Sequence, residues 1–303
     1  MLVALLLAAA AGPVSGVALR EGSVDRTEPR RPGSPAGKPR VLFFVTTYAS
    51  DEHMSYMRCQ AELYRRAPRL RETDALLHVG EDEASTARRA RECHTDACVH
   101  SSRAAWQELL NAWPMPTKML KFSRNPGKQP GAKKAMHDAL TSGWFWGYDW
   151  VIRTNPDVIF YDDSRMFSLM ERPQNWAVVM KCGNTQTNTD FFAVRPDRLP
   201  VDAFSEWNST TPDAEGQANQ AFRQIYEEGA YAFLKPEGHQ SGCHLKDGGV
   251  YHAHADPTCE LVLDRQGWQQ SFKGGIKDYQ HRGALVPNPW QEAWRLGSED
   301  DGR

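Results

Sequence analysis

The stretch that most constrains this chain is Tyr148-Asp149-Trp150-Val151-Ile152-Arg153-Thr154-Asn155-Pro156-Asp157-Val158-Ile159-Phe160-Tyr161-Asp162-Asp163. Trp150 to Thr154 is apolar or β-branched at most positions and predicts a short buried strand. Pro156 removes a backbone donor and fixes φ, so the ladder ends there. Asp157 is thereby placed at the carboxyl end of a central strand, where open α/β sheets bind their ligands. An Asx-Pro turn, with Asp157 bonded to its own backbone, uses the same residues.

Upstream lies a glycine-rich loop running into a helix: Asn125-Pro126-Gly127-Lys128-Gln129-Pro130-Gly131-Ala132-Lys133-Lys134-Ala135-Met136. Taken with the strand and its Asn155-Pro156-Asp157 turn, this loop and helix resemble the donor half of GT-A-fold glycosyltransferases over residues 41–196. The resemblance implies an α/β fold with a Rossmann-type, mostly parallel central sheet flanked by helices and a loop-rich C-terminal part. It implies transfer of a sugar from a nucleotide-diphosphate donor to a glycan, protein or small-molecule acceptor, assisted by Mn²⁺ or Mg²⁺. In that superfamily the strand ends in an Asp-x-Asp-like motif; here Asn155 replaces its first carboxylate, which leaves Asp157 as the metal ligand. The same resemblance makes Gly127, Lys128, Gln129 and Gly131 nucleotide contacts. It also likens His252 and His254 to the late histidine that many such enzymes recruit as a last metal ligand.

The chemistry of the residues agrees. A departing diphosphate accumulates charge that a divalent cation stabilises directly, and such sites use hard oxygen ligands, with imidazole admissible for Mn²⁺. Asn155 could ligate through its carbonyl or touch the ribose. In Gly248-Gly249-Val250-Tyr251-His252-Ala253-His254, strand alternation would put both histidines on one face. Arg153 could pair with Asp190 or with a phosphate. Asp190, ahead of Phe191-Phe192-Ala193-Val194, could orient donor hydroxyls or act as a base. Glu215 is a second base candidate, although a carboxylate in a first helical turn also serves the helix dipole. An inverting transferase needs such a group to take the acceptor proton. Two other readings use the same residues: a secreted carbohydrate-binding glycoprotein that kept the fold without catalysis, and a metal-dependent hydrolase built on Asp157, His252 and His254. No H-E-x-x-H signature supports the latter.

Along the chain, Val41 to Tyr48 predicts a buried parallel strand and Met54 to Arg66 a helix with Met57, Ala61 and Tyr64 on one stripe. Ala75 to Val79 predicts the second strand. Helices are predicted over Glu81–Arg91 and Trp106–Trp113, a strand over Lys118–Ser123, and a helix over Ala132–Leu140. After the central motif come strands at Trp176–Met180 and Phe191–Val194 and helices at Pro200–Trp207 and Ala214–Tyr226. Asp162 and Asp163 read as helix caps. Beyond Leu234, Gly, His and Pro predict loops closing over a site. This order of elements is that of an α/β domain over residues 41–290, with a tail at 291–303.

Met1 to Ala11 is apolar but too short to span a bilayer, which takes about 20 such residues. Residues 1–19 read as a signal peptide, or as a short signal anchor that would be the chain's sole membrane attachment. Residues 20–40, rich in Pro, Gly and Arg, read as a disordered stem. Either targeting reading places the domain in the secretory pathway, in the Golgi or ER lumen, or outside the cell. Six cysteines then suit disulfides, with Cys93/Cys98 and Cys243/Cys259 the shortest loops, and Asn208-Ser209-Thr210 is a glycosylation sequon. A net charge of −2 gives no electrostatic case for a nucleic-acid partner.

Overall fold

The computed structural model describes residues 38–81, 102–160, 162–180, 187–205, 214–234 and 250–252. Strands β1 (Val41–Tyr48), β2 (Asp74–Glu81), β3 (Lys118–Arg124), β4 (Trp150–Thr154), β6 (Ala177–Val179), β7 (Phe191–Val194) and β8 (Tyr231–Phe233) form one sheet. Its order is β3-β2-β1-β4-β7-β6-β8, and β5 (Val158–Phe160) pairs separately with β9 (Val250–His252). β1, β2, β3 and β4 are parallel to one another, and β6 is parallel to β8. β7 runs against both β4 and β6. The result is the mostly parallel, helix-flanked sheet that the sequence predicts.

Helices α1 (Asp51–Arg66), α2 (Arg103–Asn111), α3 (Lys128–Thr141), α4 (Ser164–Met170), α5 (Ala214–Ala221) and α6 (Arg223–Glu227) cover its two faces. Alternation along β1 explains how. Phe43 and Val45 point to a core shared with Leu77, Ile152, Phe191 and the α1 residues Met57 and Tyr64. Leu42 and Phe44 point to the other, shared with Leu76, Val151, Phe192 and the α3 residues Met136 and Ala139. Strands covered on both faces read as continuous apolar runs, which is why β1 and β4 are so plain in the sequence. At the start of α1, Ser50 accepts a hydrogen bond from the His53 amide at 3.1 Å, and Arg65 and Arg66 in its last turn complement the dipole.

Several elements differ from the sequence reading. Glu81 ends β2 instead of opening a helix; the rest of that predicted helix lies outside the described residues. Residues 201–204 form turns closed by Ala203 N–H to Pro200 O and Ser205 N–H to Asp202 O, not a helix. The expected helix at Ala214–Tyr226 is two helices, broken at Phe222. β8 and β9 fall where no strand was assigned. Asp163 sits at the cap position of α4 but makes no side-chain cap bond there. Its Oδ2 instead accepts from the amides of Arg69 and Leu70, at 2.8 and 2.7 Å, fastening the turn that follows α1. Asp162 does act at the start of α4, accepting from the Ser164 amide at 2.9 Å.

Residues 1–37 and 253–303, five of the six cysteines and the Asn208 sequon lie outside the described residues; of Cys59 only the backbone, within α1, is described. Among the described residues no helix is long and apolar enough to cross a membrane.

Candidate functional site

The chain order β3–loop–α3 and β4–turn–β5 brings the two sequence motifs to one edge of the sheet, the carboxyl edge of β1 to β4. β7 runs the other way, so its first residue, Phe191, pairs with Thr154 at the end of β4, and Asp190 just before it meets Asn155 just beyond. The Asn155 amide donates to the Asp190 carbonyl at 2.9 Å, locking the two chains together just beyond the ladder.

The turn after β4 is built to stay still. The Val158 amide bonds the Asn155 carbonyl at 3.2 Å across Pro156 and Asp157, with proline where φ near −65° is needed. From α1, the fully buried Gln60 donates its amide to the Pro156 carbonyl and accepts from the Tyr64 hydroxyl. Burial holds that phenol well above its usual range, so it remains a donor at any working pH. Beneath the turn Phe160 packs between Phe43 and Phe191, with ring centroids 5.5 and 5.8 Å away. Val158 opposes His252 in the β5–β9 ladder. The backbone therefore carries His252 to the element that follows Asp157. The side chain of His252, and His254 altogether, lie outside the described residues.

Around Arg153 lies an acidic cluster. This side chain is 1% exposed, points from β4 toward the α3 and α5 face, and donates from Nη2 to Thr46 Oγ1 at 2.7 Å. Among the described residues its Nε and Nη1 have no hydrogen-bond partner. Burial pulls the guanidinium down to about 10, opposed by the charges of Asp190, then Asp157 and Glu215. An arginine at that value is still fully charged at neutral pH. Arg153 is thus the inner cation of three carboxylates and is closed off from a phosphate in solution.

Thr46 Oγ1 in turn donates to Asn155 Oδ1 at 3.3 Å, and Asn155 Nδ2 donates to Asp190 Oδ1 at 2.5 Å. A carboxylate has no proton to give, so the amide nitrogen must face Asp190. The Asp190 amide is held by Asn188 Oδ1 at 2.8 Å, and Glu215 accepts from Thr189 Oγ1 at 2.8 Å. Asp157, Asp190, Glu215, Asn155 and Arg153 are therefore brought together.

The glycine loop reaches the same edge. Gly127, at φ 130°, is the N-cap of α3, a backbone conformation costly for any residue with a Cβ. Its amide donates to Asn125 Oδ1 at 3.1 Å. A Cβ on Gly131 would stand 2.3 Å from that same Oδ1. Gly131→Ala should therefore push Asn125 off Gly127 and cost about 1–3 kcal/mol in a melt. With Asn125→Ala already in place the same change should cost far less, because the clash is gone; equal costs in both backgrounds would exclude this account. Lys128 and Gln129 occupy the first helical turn, their side chains outside what is described.

The sequence reading passed over several residues. Gln60 and Thr46 hold the turn and its asparagine, yet on their own they look like an ordinary helix amide and a strand hydroxyl. Tyr48 ends β1 at the same edge, 41% exposed, its ring 4.1 Å from that of His53, whose Nδ1 lies 2.8 Å from Thr47 Oγ1. An aromatic at the end of the first strand was the available signal.

Among the described residues no three acidic, histidine or cysteine side chains already converge as a metal cage. The donor types nevertheless fit a hard divalent cation: carboxylates at the mouth, and a histidine-bearing strand paired to the strand after the turn.

No protein-family model matches this chain, and no curated protein does. Among solved structures it is similar to the galactosyltransferase LgtC in complex with donor and acceptor sugar analogs, at 12% identity over 83% of this chain and 99% of that one, TM-score 0.39. It is similar to a mannosyltransferase from Pyrobaculum calidifontis in complex with GDP-Man and Mn²⁺ (12% identity, 70% and 59% coverage, TM-score 0.39). It is also similar to mouse xyloside xylosyltransferase 1 (10% identity, 72% and 99%, TM-score 0.39). At these scores the likenesses bring neither a residue role nor an activity to this chain.

Proposed function

We propose that this chain is a glycosyltransferase of GT-A type. It would move a sugar from a nucleotide-diphosphate donor to an acceptor with the help of Mn²⁺ or Mg²⁺. The observation that carries the reading is Asp157, fixed in a clamped turn at the ligand-binding edge of the sheet, with Asp190 and Glu215 gathered about the same buried arginine. An acidic mouth beside a glycine loop at a helix N-terminus suits a cation and a diphosphate together.

The cation supplies electrostatic relief for the charge growing on the departing diphosphate. Asp157 would hold it, with His252 and His254 as the late ligands. Gly127 and Gly131 let the backbone approach the nucleotide, Lys128 and Gln129 stand beside it, and the exposed Tyr48 ring offers a face to a planar base. Asp190 and Glu215 are the carboxylates available to orient donor hydroxyls and to accept the acceptor's proton. The apolar N-terminus and six cysteines support a secretory-pathway setting.

A panel of nucleotide-sugars run by thermal shift with and without Mn²⁺ tests the proposal. One nucleotide-sugar should raise the melting temperature only when Mn²⁺ is present, since a ligand that binds the native state alone stabilises it by mass action. No response to any donor under either condition would leave the non-catalytic binder as the better reading. Release of free sugar without transfer would favour the hydrolase.

A further inference from the structure

The asparagine at position 155 looks at first like a lost ligand, an amide where the resembled motif has a carboxylate. Its surroundings give it another task. Asn155 Oδ1 faces Thr46 Oγ1 at 3.3 Å, and its Nδ2 donates to Asp190 Oδ1 at 2.5 Å. The same two residues are joined through the backbone at 2.9 Å. A carboxylate at 155 would set two acidic oxygens at hydrogen-bond distance with no proton between them, an arrangement in which both cannot ionise. An acid at 190 therefore demands an amide at 155.

Resting on the donor reading above, we propose that Asp190 supplies the second carboxylate of the divalent-cation site. Asn155 is then the positioning residue that aims it. The acid has been exchanged across one hydrogen bond, from the strand that precedes the turn to the strand that returns beside it. Three features support this. β7 is antiparallel, which delivers Asp190 to the same edge as Asp157. The Asn155 backbone joins Asp190 on one side and closes the turn that carries Asp157 on the other, so the two acids share one neighbourhood. Arg153 is buried and donates to Thr46, and Thr46 donates to Asn155, so one directional chain of donors ends on the Asp190 carboxylate. That chain fixes the orientation of the acid before any cation arrives.

The test is a set of Mn²⁺ titrations by calorimetry on the full chain, each variant checked for folding by circular dichroism. Asp190→Asn keeps the hydrogen bond to Asn155 and should bind Mn²⁺ about tenfold more weakly, or worse. Asn155→Asp should place one shared proton on the pair, so that Mn²⁺ binding releases it and affinity rises more steeply with pH than in the parent. The double exchange, Asn155→Asp with Asp190→Asn, restores one acid and one amide across the contact and should recover most of the parent affinity without the added pH dependence. Asp190→Asn binding as the parent does would overturn the proposal, as would a double exchange no better than Asp190→Asn alone. A merely structural role for Asn155 predicts neither the released proton nor the recovery. Asp157→Ala is the control: loss there with no loss in Asp190→Asn defeats this inference and spares the donor reading. A parent that binds no Mn²⁺ defeats both.

Discussion

Asp157→Ala should yield a folded protein with Mn²⁺ affinity reduced by about 100-fold or more, beyond the loss expected for outer-shell residues. The Mn²⁺-dependent part of nucleotide-sugar binding should go with it. The fold should survive because the turn has other bonds that hold it. Its bonds run from the Val158 amide to the Asn155 carbonyl and from Gln60 to the Pro156 carbonyl, and alanine is tolerated at the third position of such a turn. The measurement is a Mn²⁺ titration of parent and variant with a circular dichroism spectrum of each. Unchanged metal and nucleotide binding would reduce Asp157 to a turn residue and remove the centre of the proposed function.

Arg153→Met should be the most destabilising single change in the site. Methionine matches the stem in volume but withdraws the cation from among Asp190, Asp157 and Glu215. Removing one partner of a buried charged group costs about 3–5 kcal/mol, read here from chemical denaturation. Mn²⁺ should stabilise Arg153→Met more than the parent, because a divalent cation replaces the missing charge. A variant as stable as the parent and indifferent to Mn²⁺ would make Arg153 a packing residue.

The sequence was most legible where one local rule decides. β1 and β4 are buried almost throughout and therefore read as mostly apolar or β-branched runs; β7, Phe191–Val194, has the bounds the sequence predicts. β5, β8 and β9 were not assigned, because three residues carry no period and pair only once distant chain arrives. The turns at residues 201–204 carry a helix-like pattern, but their hydrogen bonds close at three residues and go no further. In the candidate site, Asp157, Asp190 and Glu215 stand out by residue type and place along the chain. The hold on them does not. Gln60 reaches Pro156 from another helix, and Thr46 reaches Asn155 from another strand. Nothing local to either residue announces such a contact. Asn155 reads in the sequence as a ligand or a ribose contact, because only the neighbour at 190 shows what its amide holds.

The pairing of β5 with β9 also sets an order in time. Val158 to Phe160 finds its ladder partner in Val250 to His252, on the far side of α4, α5, α6 and three strands of the main sheet. As the chain leaves the ribosome, β1 to β4 and the helices between them can already pack. The element that follows Asp157 must wait with an open edge. Contacts this distant form late, since loop closure comes before any reward, and a waiting edge is open to strands of other chains. The nascent protein thus carries an open edge next to its candidate site, and a chaperone that shields Val158 to Phe160 would be guarding that site as well as the fold.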